Sequence, residues 1–277
     1  MTAHPGGTMR IFEQAPRPAL RPLVASFLVV EFPVRHRDAH LPATGPVAAF
    51  SFQGGCRLDG ERWAPRAAFT GLRETMRTHE HDAGHRVLLA RFTPVGAAAF
   101  LRAPLDEFSG TTADLADILE RPGELAGLHE RLAGARNHGR RVGLLEDFLL
   151  ARISRSAPDP LVAAAVAWVE RSGGAGRIAE LTRHIGLSQS ALERRFRRSV
   201  GITPKKFASL VRLRRAVQLR AGGADFTTVA LAAGYFDQAH LTNDFRRATG
   251  RTPQAFFRPA PAGRDAEIFQ AAAAALR

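Results

Sequence analysis

The stretches Leu181-Thr-Arg-His-Ile-Gly-Leu-Ser188 and Val229-Ala-Leu-Ala-Ala-Gly-Tyr-Phe-Asp237 begin two copies of one motif. Each copy continues with a leucine, Phe-Arg-Arg, a glycine, Thr-Pro and a phenylalanine. These are Leu192, Phe196-Arg-Arg198, Gly201, Thr203-Pro204 and Phe207 in the first copy, and Leu241, Phe245-Arg-Arg247, Gly250, Thr252-Pro253 and Phe256 in the second. The copies are 48 residues apart before the turn and 49 after it, so the second turn has one extra residue. A repeat in this register predicts two versions of one supersecondary unit.

Each copy has the pattern of a helix-turn-helix unit. In the first copy, a helical face of Ile178, Leu181 and Ile185 ends at Gly186, a residue that can adopt the left-handed conformation that stops a helix. Ser188 is then a good N-cap for a second helix, on which Leu192 and Phe196 share one face. In the second copy, Gly234 provides the stop and Asp237 the cap. Two short helices across a glycine-containing turn are typical of units that place their second helix in a major groove.

A longer helix is predicted between the two units. Thr203-Pro204, like Thr252-Pro253, combines a capping hydroxyl with a proline at the first helical position. The segment Pro204–Ala221 carries an apolar face and ends at Gly222-Gly223. At 1.5 Å per residue it would span about 27 Å. Such a helix could hold two recognition helices near the spacing of ~34 Å between successive major-groove faces.

The charge of the chain is concentrated in this part. Residues 161–258 contain 17 Lys and Arg against 6 Asp and Glu, whereas residues 1–160 contain 20 against 18. A local cationic surplus favours a polyanionic partner, because neutralising phosphates releases condensed counterions. The alternative is a basic surface that only keeps the protein in solution.

Residues 161–258 resemble the DNA-binding domain of the AraC/XylS family of bacterial transcription regulators. The resemblance rests on the paired motifs, and especially on Gly234-Tyr-Phe-Asp-Gln-Ala-His-Leu241 with Phe245-Arg-Arg247 and Gly250-Arg-Thr-Pro253. The family implies sequence-specific promoter binding, with activation or repression controlled by an N-terminal domain. In many members that domain is a cupin-like barrel that binds a small effector and dimerises.

The N-terminal half has a different pattern. Short apolar runs separated by turn residues, namely Leu23–Phe32, Val47–Phe52 and Val87–Phe92, predict strands of a small antiparallel barrel or sandwich. Helical spacing follows in Gly123–Ala133 and Gly143–Ile153. We therefore predict an α+β N-terminal domain, a small antiparallel barrel or sandwich plus helices, followed by an all-α tandem helix-turn-helix domain; the family resemblance implies that the antiparallel part is a cupin-like barrel. The predicted divisions are 1–155 for effector binding and dimerisation, 156–160 as linker (Ser156-Ala-Pro-Asp-Pro160), 161–258 for DNA binding and 259–277 as tail.

Outward positions early in the two recognition helices are the candidate base contacts. They are Gln189, Ser190, Glu193 and Arg194 in the first unit, and Gln238, His240, Thr242 and Asn243 in the second. The candidate phosphate contacts are Arg197, Arg198, Lys205, Lys206, Arg246 and Arg247. The alternative for each is a solvated surface residue, and His240 could instead bond within its turn. Family members often have a basic residue where Asn243 stands, and Tyr235 is expected to pack at the turn.

One cluster in the N-terminal half suggests metal chemistry. His79-Glu-His-Asp82, with His85 nearby, contains a His-x-His pair that could chelate a transition metal. No carboxylate near His85 and no histidine on a later strand completes a cupin pattern, so we predict a polar loop, with no metal site and no cofactor. The aromatic residues are expected to form core, with an effector pocket as the alternative; they are Phe27, Phe32, Phe50, Phe52, Trp63, Phe69 and Phe92.

Composition limits the compartment and the partners. A single cysteine, Cys56, excludes an intramolecular disulfide and fits a reducing cytosol. No apolar run approaches the ~20 residues of a membrane span, and Met1–Pro16 has no signal-peptide core, so we expect a cytoplasmic protein. The expected partners are double-stranded promoter or operator DNA, RNA polymerase, a small-molecule effector of unknown identity and a second copy of the chain, with no membrane. Two alternatives remain: a metal-dependent cupin-type enzyme domain with a DNA-binding appendage, and a constitutive architectural DNA-binding protein.

Overall fold

A computed structural model of the chain describes residues 2–3, 9–120, 123–153 and 158–258. The strands among these residues are β1 (Thr2–Ala3), β2 (Arg10–Gln14), β3 (Val24–Phe32), β4 (His36–His40), β5 (Val47–Gln53), β6 (Cys56–Leu58), β7 (Arg62–Trp63), β8 (Ala67–Thr70), β9 (Arg77–His81), β10 (His85–Phe92) and β11 (Thr112–Asp114). Helices α1 (Ala97–Leu101), α2 (Leu115–Ile118), α3 (Gly123–Gly134) and α4 (His138–Arg152) follow, with short 3-10 helices at Pro18–Leu20 and Leu105–Phe108. The remaining helices are α5 (Pro160–Arg171), α6 (Ile178–Ile185), α7 (Gln189–Val200), α8 (Pro204–Ala221), α9 (Phe226–Ala232), α10 (Gln238–Thr249) and α11 (Pro253–Phe257).

The strands form two antiparallel sheets. The larger has the order β1-β2-β3-β10-β5-β8-β11, and the smaller has the order β4-β9-β6-β7. Strand β10 lies at the centre of the larger sheet, where Leu88 pairs with Val29 of β3 and with Phe50 of β5. The predicted antiparallel α+β region is therefore confirmed, while closure of its sheets into one barrel stays a prediction.

One core fills the N-terminal region. Phe27, Phe50, Phe69 and Phe92 are buried in it, and α3 and α4 contribute leucines from their inner faces. Phe52 belongs to the same core, and Phe32 is buried in a smaller cluster, so most of the aromatic residues are core as predicted. Trp63 differs, because half of its surface is exposed.

Two predicted boundaries need correction. Helix α4 begins at His138 rather than near Gly143, because Asn137 caps it by accepting a hydrogen bond from the backbone of Arg140. Pro160 is the first residue of α5 rather than the end of a linker, and Asp159 caps that helix by accepting from the Leu161 amide. The first residues of the predicted linker, and the tail 259–277, lie outside the described residues.

The predicted polar loop at residues 79–82 is also wrong in part. Residues 77–81 form strand β9, which pairs with β4 on one side and β6 on the other. Polar residues fit this strand because its histidines face Asp38 of β4 rather than an apolar core.

The N-terminal region packs against both halves of the helical region. Leu72 is buried in the core that α5, α6 and α7 share with the first half of α8. Leu41 and Met76 join the second core, around Leu213 and Phe245, and the Met76 amide donates to the carbonyl of Ala248 at 2.7 Å. No helix within the described ranges combines the length and the apolar character that a membrane crossing needs.

Candidate nucleic-acid interface

The first unit has the geometry that its sequence predicts. Helix α6 ends at Gly186, whose φ of +69° is in the left-handed region. Ser188 then caps α7 by accepting a hydrogen bond from the Ala191 amide at 3.3 Å. Leu192 and Phe196 are fully buried on the inner face of α7. Gln189, Ser190 and Arg194 remain exposed on α7, and the helix also packs against α1 and the 3-10 helix Leu105–Phe108.

The second unit repeats this arrangement with a longer turn. Helix α9 is followed by Gly234 at a φ of +85°, and Asp237 caps α10 by accepting from the His240 amide at 2.7 Å. Tyr235 is buried in this turn, with the Arg212 guanidinium 5.4 Å from its ring centre. Burial raises the pKa of the Tyr235 phenol above its ordinary value. The prediction that Tyr235 packs at the turn is confirmed.

The linking helix α8 has the predicted bounds and joins the two cores. Phe207, Ala208 and Leu210 are buried against the first unit, whereas Leu213 and Val217 are buried against the second. One continuous helix thus fixes the two units relative to each other.

The candidate base contacts of the first unit lie near the start of α7. Gln189, Ser190 and Arg194 are exposed, and Glu193 is half-buried. The amide of Gln189 donates to the Glu193 carboxylate at 3.1 Å. Arg194 forms no ion pair with any residue in the described ranges. Its guanidinium is therefore available to a base edge or a phosphate.

The candidates of the second unit are less charged and more tied to the protein. Gln238, His240 and Asn243 are exposed, but the Thr242 hydroxyl donates to the Gln238 carbonyl at 2.8 Å. The edge of the His240 ring meets the Tyr235 ring at 5.2 Å between centroids. This contact supports the interpretation of His240 as part of the turn, although its exposure leaves it able to reach DNA.

The six candidate phosphate contacts are all exposed. Two of them already have acidic partners: Arg247 lies 2.9 Å from Asp244, and Lys206 pairs with Glu74 of the N-terminal region. Arg197, Arg198 and Arg246 make no ion pair within the described ranges. The C-terminal turns of α7 and α10 thus present unneutralised guanidinium groups.

Two features of the interface were not predicted from the sequence. Phe236 is 87% exposed and Leu231 is 63% exposed, so the turn of the second unit presents an apolar edge beside Gln238. Asp244 accepts a hydrogen bond from the Ser209 hydroxyl at 2.8 Å, which ties α10 to α8. By its position in the helical period, Asp244 lies at the border between the inner and outer faces of α10. This position is the sequence signal that could have indicated its contact with α8. Nothing in the sequence pattern shows that Phe236 is exposed.

Two helix-turn-helix units on a shared helix, each with a polar and cationic second helix, define a tandem helix-turn-helix DNA-binding domain. Comparisons with known proteins agree. Residues 181–259 match the model of a helix-turn-helix domain family. An AraC-like transcription regulator of Streptomyces antibioticus is 33% identical over 97 residues, which are 34% of this chain and 32% of the relative. One from Streptomyces lividans is 32% identical over 97 residues, with the same coverage. Over this C-terminal stretch the chain is therefore similar to AraC-like transcription regulators.

These relatives are matched over only about a third of their length. Among solved structures, apo ToxT from Vibrio cholerae is similar at a TM-score of 0.45 and 11% identity, covering 88% of this chain and 98% of that one. The AraC-like transcriptional activator CuxR is similar at a TM-score of 0.27 and 15% identity, covering 81% and 91%.

Proposed function

We propose that this protein is a sequence-specific DNA-binding transcription regulator whose N-terminal region controls its two reading helices. The observation that carries the proposal is the repeat itself. Two equivalent helices present exposed hydrogen-bonding side chains, and one continuous helix, α8, fixes their separation. A rigid pair of reading helices favours two major-groove contacts on one face of the duplex.

The first unit carries the larger share of recognition in this proposal. Arg194 has the geometry to bond guanine O6 and N7 in bidentate fashion, and Gln189 suits adenine. The bond between Gln189 and Glu193 holds both side chains at the start of α7 before DNA arrives. Ordering them in advance lowers the entropy lost on binding.

Phosphate contacts provide affinity in register with these base contacts. Arg197, Arg198 and Arg246 are exposed and unpaired within the described ranges, and Lys205 lies in the first turn of α8. The start of α8 also presents free backbone amides to an anion. Each phosphate neutralised in this way makes binding more dependent on salt.

Control by the N-terminal region is the second part of the proposal. Its Leu41, Leu72 and Met76 pack into the cores of the two units, so a change in the arrangement of this region would alter how the units are held. An effector that binds one arrangement better than another would shift the population accordingly. RNA polymerase and a second copy of the chain are the further partners that we propose; α3 and α4 are the candidate dimer helices.

The proposal is tested by selecting bound sequences from random double-stranded DNA with the purified 277-residue chain. We expect enrichment of one motif with two blocks of conserved bases about one helical turn apart. The selected duplex and a shuffled duplex of the same composition are then compared at several salt concentrations. Equal affinity for both would identify an architectural protein, and no affinity for either at low salt would refute DNA binding.

A further inference from the structure

Four titratable side chains from two neighbouring strands converge in the smaller sheet. Strands β4 and β9 are antiparallel, with His36 paired to His81 and Asp38 paired to His79. Because side chains alternate along a strand, Asp38 and His40 of β4 share a face with His79 and His81 of β9. None of these residues is among the candidate DNA contacts.

The distances within this group fit the coordination shell of a metal ion. His40 Nε2 lies 3.0 Å from Asp38 Oδ1, and His79 Nδ1 lies 3.7 Å from the same oxygen. One ligand atom from each of these three residues falls within 4.8 Å of the others. In a tetrahedral zinc site, bonds of about 2.0–2.1 Å place neighbouring ligand atoms about 3.3 Å apart. Two of the three separations lie within 0.4 Å of this value, and the third is at most 4.8 Å.

One buried nitrogen of the group lacks a hydrogen-bond partner. Asp38 is 2% exposed and its Oδ1 has His40 Nε2 at 3.0 Å, whereas the buried His79 Nδ1 has no hydrogen-bond partner among the described residues. Burying such an atom without a partner costs free energy that a coordinated ion would recover.

Two further histidines, His81 and His85, lie on the other side of the carboxylate. His81 Nε2 lies 3.6 Å from Asp38 Oδ2, and its ring stacks on Phe32 with centroids 3.7 Å apart. His81 Nδ1 lies 2.8 Å from His85 Nδ1, and His85 Nε2 bonds Ser51 Oγ at 3.0 Å. Chains of this kind orient ligands and tune their basicity in metal sites. The His40 side chain, 45% exposed, leaves a path to solvent.

We propose that Asp38, His40 and His79 bind a divalent transition-metal ion of the Zn²⁺ class, with His81 and His85 as outer-shell partners. Imidazole and carboxylate ligands suit this class better than Mg²⁺ or Ca²⁺, which prefer all-oxygen shells. A cupin pattern would take the partners of His79 from later strands, whereas the structure takes them from the earlier strand β4. Three protein ligands leave the fourth position for water or an external ligand.

The place of the site links it to the helix-turn-helix region, and this step rests on the proposed function. Leu41 directly follows His40, and Met76 directly precedes β9; both pack on the core of the second unit. The Met76 amide also bonds the carbonyl of Ala248 in α10. An ion that joins β4 to β9 would therefore order both segments that dock on α10. The metal is then the effector, or part of it.

Zinc binding is tested first, without DNA. Chelator-treated 277-residue chain is dialysed against Zn²⁺, and we expect one ion per chain. Asp38→Asn and His79→Gln should weaken binding by about 10- to 100-fold or more, given the losses seen even for outer-shell changes. His184→Gln, which changes an exposed histidine on α6, is the control and should bind as the parent does. His40→Gln alters a half-exposed ligand and keeps the test valid if the buried variants do not fold.

Absence of stoichiometric zinc from the folded parent would overturn the site, as would unchanged affinity in folded His40→Gln and His79→Gln. Coupling is tested on the selected duplex, where zinc should tighten binding about threefold or more by ordering the docked segments. His79→Gln should lose this response but keep the zinc-free affinity. Zinc binding with unchanged DNA affinity would refute the coupling alone, and no DNA binding in either state would refute the proposed function alone.

Discussion

Arg194 and Asn243 occupy equivalent positions on the second helices of the two units, 49 residues apart in the chain. The next position is reversed in charge: Arg195 bonds Asp159 at the start of α5, whereas Asp244 bonds Ser209 and Arg247. The first reading helix thus has an exposed arginine where the second has a neutral amide, while both helices carry exposed arginines in their last turns. The same fold thus carries two different chemical patterns, and we expect the first unit to contribute the larger share of recognition.

The largest expected effect tests whether the two cores are equally essential. Phe196 and Phe245 are equivalent and both fully buried, so each change to alanine should lower the free energy of unfolding by about 3–5 kcal/mol. Thermal and urea unfolding would measure it. Leu231→Ala, at an exposed position in the second unit, is the control and should stay within about 0.5 kcal/mol of the parent. A loss under 1 kcal/mol for Phe245→Ala alone would mean that the second unit is not folded independently of DNA.

The comparison of reading helices predicts an unequal response to truncation. Arg194→Ala should cost about 1–3 kcal/mol of binding free energy and relax preference at one base position. Asn243→Ala should cost less, because a neutral amide bond contributes less than a charge-assisted bidentate pair. Affinities for the selected duplex and its single-base variants would measure both. A uniform loss on every sequence would instead make Arg194 a phosphate contact, and a larger loss for Asn243→Ala would reverse the assigned roles.

The two turns predict a smaller difference in stability. Gly186 and Gly234 both have positive φ, which costs about 1–2 kcal/mol for a residue with a side chain. A Cβ at Gly186 would meet nothing within 4 Å, whereas one at Gly234 would lie 2.5 Å from the Ala175 side chain. Gly234→Ala should therefore destabilise the protein more than Gly186→Ala does. Equal unfolding midpoints for the two variants would show that Ala175 moves away at no cost.

Features of the fold could be predicted from the sequence where the interactions that produce them are local in the chain. Caps and stops are local, so Ser188, Gly186 and Asp237 could be assigned from their neighbours in sequence, and the bounds of α8 followed from Thr203-Pro204 and Gly222. The pairing of β4 with β9 is not local. Asp38 and its register partner His79 are 41 residues apart in the chain, and strands β5 to β8 lie between them in sequence. Hence the polar strand β9 had the appearance of a loop.

The contact between the two regions was equally hidden. Lys206 could be predicted as exposed at the start of a helix, but its partner Glu74 is 132 residues away in sequence. Period and composition describe one element at a time, whereas this contact depends on how the N-terminal region docks. The same reason kept Leu41, Leu72 and Met76 from being assigned to helical cores.

The smallest expected effect concerns the ion pair between Glu74 and Lys206. It tests whether the N-terminal region and a DNA phosphate compete for the Lys206 side chain. Both side chains are about half exposed, and such pairs contribute about 0.2–1 kcal/mol. Glu74→Gln should therefore tighten binding to the selected duplex slightly at low salt. In this variant Lys206 no longer has to break its ion pair with the Glu74 carboxylate before it contacts a DNA phosphate. Glu13→Gln, an equal charge change at an exposed position on β2, separates this local effect from the change in net charge. The gain should shrink as salt screens the pair, and equal gains for both variants would show that Lys206 does not contact DNA.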